Sequence, residues 1–244
     1  MIPDRISDRC DVRWLATTTS TMDVASKLAG DGARHGVVVV ADEQTAGRGR
    51  RGTTWQSPPG AGLYLSFVAR HAGAALSLIT LAAGVGVREG IAASTGLSAD
   101  VKWPNDLIVG SRKLAGILSE GIAIGTPAQA VIIGIGINMQ PAAYPPEVSA
   151  RATSIEGELG RAVDRELVLS CVLASLWDRL AVLEHAPGDI LQAWRAASPN
   201  ANGTRVEWDD KHGVTAGIDD SGALLVKTAD RIERIIAGEL RWML

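Results

Sequence analysis

The apolar positions of this chain fall into two rhythms. Val37-Val38-Val39-Val40-Ala41 is an unbroken, mostly β-branched run, which predicts a strand buried on both faces. Residues 63–68 alternate and predict another strand, whereas 77–94 read as a helix despite Gly84, Gly86 and Gly90. Those glycines suit close packing against a sheet. Ser20 and Thr21 are N-cap residues for a helix through Val24, Ala25, Leu28 and Ala29, stopped by Gly30. Residues 101–109 look extended, but Pro104 cannot donate to a ladder, so a bulge or an edge is expected there. Residues 114–122 and 130–139 predict two strands, antiparallel across Gly125-Thr126-Pro127. Apolar residues at 167, 168, 171, 172, 176, 180 and 183 keep helical period over 164–184, with Asp164 near the cap, and a shorter helix spans 188–196.

At Ser198-Pro199-Asn200-Ala201-Asn202-Gly203 the pattern changes abruptly to turn formers. Short strand-like pieces follow at 204–208, 213–218, 223–227 and 231–236, and Asp219-Asp220-Ser221-Gly222 is a good hairpin turn. The chain therefore divides into a large α/β unit, residues 1–198, and a small barrel-like unit, residues 199–244.

Composition narrows the function classes. The 24 basic and 27 acidic residues give a formal charge of −3, against the broad basic footprint of a generic nucleic-acid binder. Cys10 and Cys171 have neither close spacing nor a nearby His pattern, and they read as free thiols in a reducing compartment. The opening Met1-Ile2-Pro3-Asp4-Arg5 is too polar for a secretory signal, and no apolar run approaches the ~20 residues that span a bilayer. These features predict a cytoplasmic protein without a membrane or nucleic-acid partner.

Three segments carry candidate chemistry. In Gly47-Arg48-Gly49-Arg50-Arg51-Gly52, glycines let backbone approach a ligand, and arginines offer planar, permanently charged donors for carboxylates and phosphates. A flexible basic loop or a nucleic-acid tail has the same composition. The glycine spacing fits neither a P-loop nor a dinucleotide fingerprint. Lys102-Trp103-Pro104-Asn105-Asp106, followed by Lys113-Leu114-Ala115-Gly116, sets lysines, an amide and a carboxylate among apolar strands. A surface turn and a solvated strand-end lysine are the plainer readings of its two halves. Gly134-Ile135-Gly136-Ile137-Asn138 is a strand with close-approach glycines ending in an amide, or else a bulged core strand.

Together these segments, with Gln44, Arg112, Thr18-Thr19-Ser20-Thr21 and Gly238-Glu239, closely resemble the biotin–protein ligase family in order and spacing over almost the whole chain. The resemblance implies an α+β fold: a mixed sheet flanked by helices, related to class II aminoacyl-tRNA synthetases, with a small C-terminal SH3-like barrel. It implies ATP-dependent formation of biotinyl-5′-AMP and transfer of biotin to a lysine of a carboxyl-carrier domain. Lys113, Arg50 and Asp106 are the implied catalytic residues, Lys113 stabilising the transition state and Asp106 holding Mg²⁺. Biotin is implied to meet Ser20, Thr21, Met22, Gln44, Gly47, Arg48, Gly49, Arg50 and Lys113. ATP and the adenylate are implied to meet Arg48, Arg50, Arg51, Gly52, Trp55, Lys102, Asn105, Asp106, Lys113 and Asn138. Trp55 would close over the adenylate, Asn138 would meet the adenine, and the loop would order around its ligands. Two departures stand out. Met22 replaces an Asn common after the Ser-Thr pair, and no DNA-binding helix-turn-helix precedes the first motif, so repressor activity is not expected. A monomer or weak homodimer is expected. The nearest rival, a lipoate ligase or octanoyltransferase, shares the fold but is disfavoured by the arginine–glycine loop and the Lys-Trp-Pro-Asn-Asp segment.

Overall fold

A computed structural model describes residues 9–70, 74–142, 144, 146–238 and 240–243; Glu239 and residues 1–5 lie outside them. The valine run forms β2 (Val37–Gln44), where Val38 and Val40 face the larger of two apolar clusters and Val37 and Val39 face the smaller. Both faces are covered, which is why the run has no polar alternation. Six further strands join it: β1 (Asp11–Thr18), β3 (Gly62–Ala69), β4 (Asp100–Lys102), β5 (Asp106–Val109), β6 (Arg112–Ile122) and β7 (Ala130–Asn138). Their order is β1-β2-β3-β7-β6-β5-β4, with β1 parallel to β2 and the other neighbours antiparallel. The predicted β6–β7 pairing and the edge position around Pro104 are both found, the latter as the short β4–β5 pair.

The helices are α1 (Thr21–Gly30), α2 (Ile79–Thr95), α3 (Pro146–Ser149), α4 (Ile155–Leu159), α5 (Arg165–His185) and α6 (Pro187–Ala197). Ser20 caps α1 by accepting a hydrogen bond from the Met22 amide, and Asp164 caps α5 by accepting from Glu166 and Leu167. Helix α1 covers the smaller cluster through Met22, Ala25 and Ala29.

Two expectations change at α2. Its glycines make their closest approach to another helix and not to the sheet: a Cβ on Gly86 would lie 2.9 Å from the Cα of Leu176 in α5, and one on Gly90 would collide with the Val172 backbone. Gly84, facing Val101 at 3.5 Å, is the one of the three that meets the sheet. The stretch Leu76–Thr95 is also long and apolar enough, by length and composition, to cross a bilayer, contrary to the reading that no run approaches that length. It is apolar nearly all round because it lies in the core between the sheet and α5.

Five antiparallel strands make the C-terminal sheet: β8 (Asn202–Trp208), β9 (Lys211–Ile218), β10 (Leu224–Lys227), β11 (Ile232–Ile235) and β12 (Arg241–Trp242), in the order β11-β10-β9-β8-β12. The Asp219–Gly222 turn forms as predicted, Asp219 Oδ1 accepting from the Ser221 and Ala223 amides. Gly222, at φ +82°, packs that turn onto Leu78 and Leu81, and its carbonyl accepts a hydrogen bond from Trp103 Nε1 at 3.0 Å. The small unit is thereby fastened beside the Lys-Trp-Pro-Asn-Asp segment.

Candidate functional site

The three motif segments converge on one cleft of about 280 Å³, close to the lower end of the range for small-molecule sites. Its walls come from the N-terminus of α1, the arginine–glycine loop, the β4–β5 connection, the glycine-bearing stretches of β6 and β7, and the C-terminal residues Gly238, Leu240 and Trp242.

At one end lies a polar chain. The backbone N–H and hydroxyl of Thr21 both donate to Gln44 Oε1, at 2.9 and 3.0 Å, and the Thr21 hydroxyl is 2.8 Å from that of Ser66. Gln44 Nε2 in turn donates to Ser57 Oγ at 2.8 Å. Ser57 and Ser66, both buried, were not singled out in the sequence. The signal for Ser66 was there, as the one small polar residue in the apolar strand Leu63 to Val68; Ser57 carries none. Met22 is buried at the same end with its thioether over Gly134, where a Cβ would lie 2.7 Å from the sulfur. Its amide N–H already points at Ser20 Oγ, 3.3 Å away. Neither the side chain nor the N–H of Met22 therefore offers a donor to the cleft.

The arginine–glycine loop is closed on itself. Gly49 N donates to Thr53 O, Trp55 N to Gly47 O, and the Thr53 hydroxyl to Arg50 O, at 2.7, 2.9 and 2.8 Å. Arg51 and Gly52 make the turn at φ 54° and 76°. The glycines serve this closure: a Cβ on Gly47 would press on Trp55 O and Ser57 Oγ, and one on Gly49 on the Thr53 hydroxyl. Three arginines take three directions. Arg48 bridges Asp23 and Glu120, each at 3.1 Å, and so ties the loop to α1 and β6. Arg50 donates to Asn105 Oδ1 at 3.3 Å, reaching across to the β4–β5 wall. Arg51 faces Gly238 of the C-terminal unit.

Lys113 owes its place to a bulge. Ile108 pairs with Lys113 and Leu107 with Ala115, so Leu114 is an extra residue in β6. In a regular strand, residues three apart point to opposite faces; the extra residue puts Lys113 and Gly116 on the same face. The lysine side chain runs back over Gly116, where a Cβ would lie 3.2 Å from Nζ. Its ammonium ends 2.6 Å from Asp106 Oδ1 and 5.3 Å from the centre of the Trp55 ring. Trp55 lies on Gly116 and Gly136, whose missing side chains make room for the indole, and its buried Nε1 has no hydrogen-bond partner among the described residues. The close-approach glycines of β6 and β7 thus receive side chains of this same chain, Trp55 and Met22. Lys102 stands over the Trp242 ring at 5.7 Å, joining the two units at the cleft mouth.

Ser20, Thr21, Met22, Gln44, Arg48, Gly49, Arg50, Arg51, Trp55, Lys102, Asn105, Asp106 and Lys113 all line the cleft. Gly47 and Gly52 do not line it; with the residues between them they line a neighbouring depression beside Leu118 and Glu120. Asn138 lines neither surface: it is buried, and its amide donates to Thr153 O at 2.9 Å.

Residues 14–138 match the Biotin/lipoate A/B protein ligase family, and residues 203–240 match the Biotin protein ligase C terminal domain. The chain belongs to the biotin–protein ligase family. It is 38% identical over 228 residues to the biotin–[acetyl-CoA-carboxylase] ligase of Paracoccus denitrificans, covering 87% of this chain and 92% of that one. It is 35% identical over 236 residues to the bifunctional ligase/repressor BirA of Bacillus subtilis, covering 91% of this chain and 71% of that one. Among solved structures, the Aquifex aeolicus biotin protein ligase in complex with biotin and ATP superimposes with a TM-score of 0.82 at 28% identity, covering 95% of this chain and 98% of that one. The family has the mixed sheet and small C-terminal barrel-like unit described above.

Proposed function

We infer that the chain is an ATP-dependent biotin–protein ligase in which this cleft holds both biotin and the nucleotide. The observation that carries the reading is the juxtaposition of the buried Thr21–Gln44 polar chain with the Lys113, Arg50 and Asp106 charges in one cleft. A neutral end of hydroxyls around one amide suits the ureido ring, and a cationic end suits a carboxylate meeting a phosphate.

The chemistry has two steps. A biotin carboxylate oxygen attacks the α-phosphorus of ATP, the bond to the β-phosphate oxygen breaks, and pyrophosphate leaves. The amine of the acceptor lysine then attacks the acyl carbon, AMP leaves with its phosphate oxygen, and the amine loses a proton as the amide forms. No protein nucleophile is required. The residues position charge and neutralise it. Lys113 meets the carboxylate and the α-phosphate oxygens, Arg50 holds the same anion from the loop, and Trp55 offers the adenine an aromatic face. Ser20, Thr21 and Gln44 bind the head group, with Met22 an apolar floor beneath it; the backbones of Gly49 and Gly47 shape the loop around it. Arg51, Lys102 and Asn105 complete the nucleotide side, with Gly52 at the loop turn. Arg48 ties the loop down.

Among the described residues, no cluster of three or more His, Cys, Asp or Glu could hold a metal by itself. A single carboxylate fits a Mg²⁺ ion carried largely by phosphate oxygens, the usual arrangement for that cation. Asp106 would be its protein oxygen, and the ion would neutralise phosphate charge. The acceptor is a biotin carboxyl-carrier domain of an acyl-CoA carboxylase, met in the cytoplasm by a monomer or weak homodimer. Residues 1–198 form the catalytic unit and 199–244 the SH3-like unit.

The reading is tested by biotin- and ATP-dependent labelling of an apo carrier domain. Labelling by the native chain, lost in Lys113→Ala, is expected. Transfer of lipoate or octanoate in preference to biotin would overturn it.

A further inference from the structure

The strand that carries Lys102 is the slightest part of the large sheet. It is the edge strand β4, three residues long, and it pairs with β5 alone, which has four. A pair this short gains little from its own ladder. Lys102 is the last residue of β4 and stands opposite Asp106, with Trp103, Pro104 and Asn105 making the connection between them. Support comes from outside the pair. Arg88 Nε donates to Ala99 O at 2.7 Å just before β4, and Asn105 Nδ2 donates to Ile117 O at 2.8 Å just before β5.

The support next to Lys102 is Trp103. It is buried, and its indole N–H donates to the Gly222 carbonyl of the small unit at 3.0 Å. That carbonyl belongs to a well-fixed turn. Asp219 Oδ1 accepts from the Ser221 and Ala223 amides on either side of Gly222, and the Gly222 amide donates to Asp219 O at 3.0 Å. Arg234 holds both the Asp219 carboxylate and the Ser221 hydroxyl. Gly222 is seated on Leu78 and Leu81, where a Cβ would lie 2.8 Å from each. Lys102 meets the same unit a second time, its ammonium 5.7 Å from the centre of the Trp242 ring. The small unit therefore grips this corner of the cleft at two neighbouring residues.

We propose that Trp103 is a positioning residue for Lys102, its indole N–H using the Gly222 carbonyl as the fixed support that holds the end of β4, and with it the lysine, at the cleft. This rests on the reading that Lys102 serves the nucleotide. The small unit then acts on nucleotide binding through a hydrogen bond as well as through the residues it places in the cleft wall.

The test is a double-mutant cycle on biotin-dependent pyrophosphate exchange, with Trp103→Phe, Lys102→Met and the pair. Trp103 itself lines the cleft, and phenylalanine keeps an aromatic ring there while removing the donor. KM for ATP should rise by about threefold to tenfold, the worth of one hydrogen bond. The value of kcat should stay within about threefold, because Lys113 is carried by β6, and the biotin Kd measured without ATP within about twofold. In the Lys102→Met background, Trp103→Phe should change KM for ATP by less than about twofold. A folded Trp103→Phe with a lowered Tm and an unchanged KM for ATP would make the residue purely structural and overturn the proposal. A full further rise in the Lys102→Met background would overturn it too, since Trp103 would then act by another route. If Lys102→Met leaves KM for ATP unchanged, the nucleotide reading of Lys102 fails and the positioning role falls with it. Asp219→Ala loosens the same turn from the other side and serves in the cycle should Trp103→Phe not fold. The same rise in KM is expected from it, absent in the Lys102→Met background, and an unchanged KM would count against the support.

Discussion

Lys113, Gly116 and Trp55 are intelligible only as a group. The bulge at Leu114 turns the lysine onto the face of Gly116, and the absent side chains at 116 and 136 let the indole lie against the sheet beneath it. Replacing Lys113 by Ala should lower kcat for adenylate formation by about a hundredfold to a thousandfold, the ~2.7–4 kcal/mol typical of a charge-matched donor in an oxyanion site. Single-turnover formation of biotinyl-5′-AMP measures this directly. Trp55→Ala should act on a different parameter. Loss of a stacked base is worth ~1–3 kcal/mol, so KM for ATP should rise by about tenfold while the biotin Kd in the absence of ATP stays the same. Residue types in these motifs were legible from the sequence because lysine, amide and carboxylate side chains have few other reasons to sit among apolar strands. What each side chain touches was not. Arg48 lies across the loop from Asp23 and Glu120, partners remote in sequence, and the glycines of β6 and β7 face Trp55 and Met22.

At the scale of elements, the buried strands were readable from their continuous apolar runs and the long helix α5 from its periodic apolar face. The edge strand β1 was not, since Asp11 to Thr18 buries little and carries the exposed Trp14 and Arg13. The short α4, capped by Ser154 and ended by Gly160, has too few residues to show a period. The α2 glycines separate two cases by sign. Gly90 abuts the backbone of α5, and Gly90→Ala should destabilise the fold by about 1–3 kcal/mol through overpacking. Gly84 has its nearest neighbour at 3.5 Å, and Gly84→Ala should be neutral or stabilising by up to about 1 kcal/mol, from reduced helix-interior entropy loss. Urea unfolding of the two variants decides between a shared sheet contact and the helix–helix contact described here.

In the whole molecule, the side of the cleft that carries Lys102 and Arg51 lies between two units. Trp103 reaches the Gly222 carbonyl, Lys102 faces Trp242, and Arg51 faces Gly238. The turn at that junction depends on Asp219. Burial raises its pKa, but hydrogen bonds from Ser221, Arg234 and Ala223 outweigh burial and bring it from 3.8 down to about 2. A carboxylate depressed in the folded state stabilises fully above its unfolded pKa and loses that contribution as pH falls through the folded value. Stability should therefore decline between about pH 4 and pH 2 in part through this group, and Asp219→Asn should flatten that portion of an acid titration followed by thermal unfolding. These contacts could not be read from the sequence; the turn-forming residues 198–203 lead into β8, the first strand of the second sheet.

The joining of the biotin carboxylate to the α-phosphate of ATP in one cleft, under the charge of Lys113, is the step proposed for this chain. Exchange of labelled pyrophosphate into ATP, run with biotin, lipoate and octanoate in turn, reads that step without any acceptor protein. The prediction is exchange that requires biotin and is lost in Lys113→Ala. Exchange supported equally by lipoate or octanoate, or undiminished without Lys113, would contradict it.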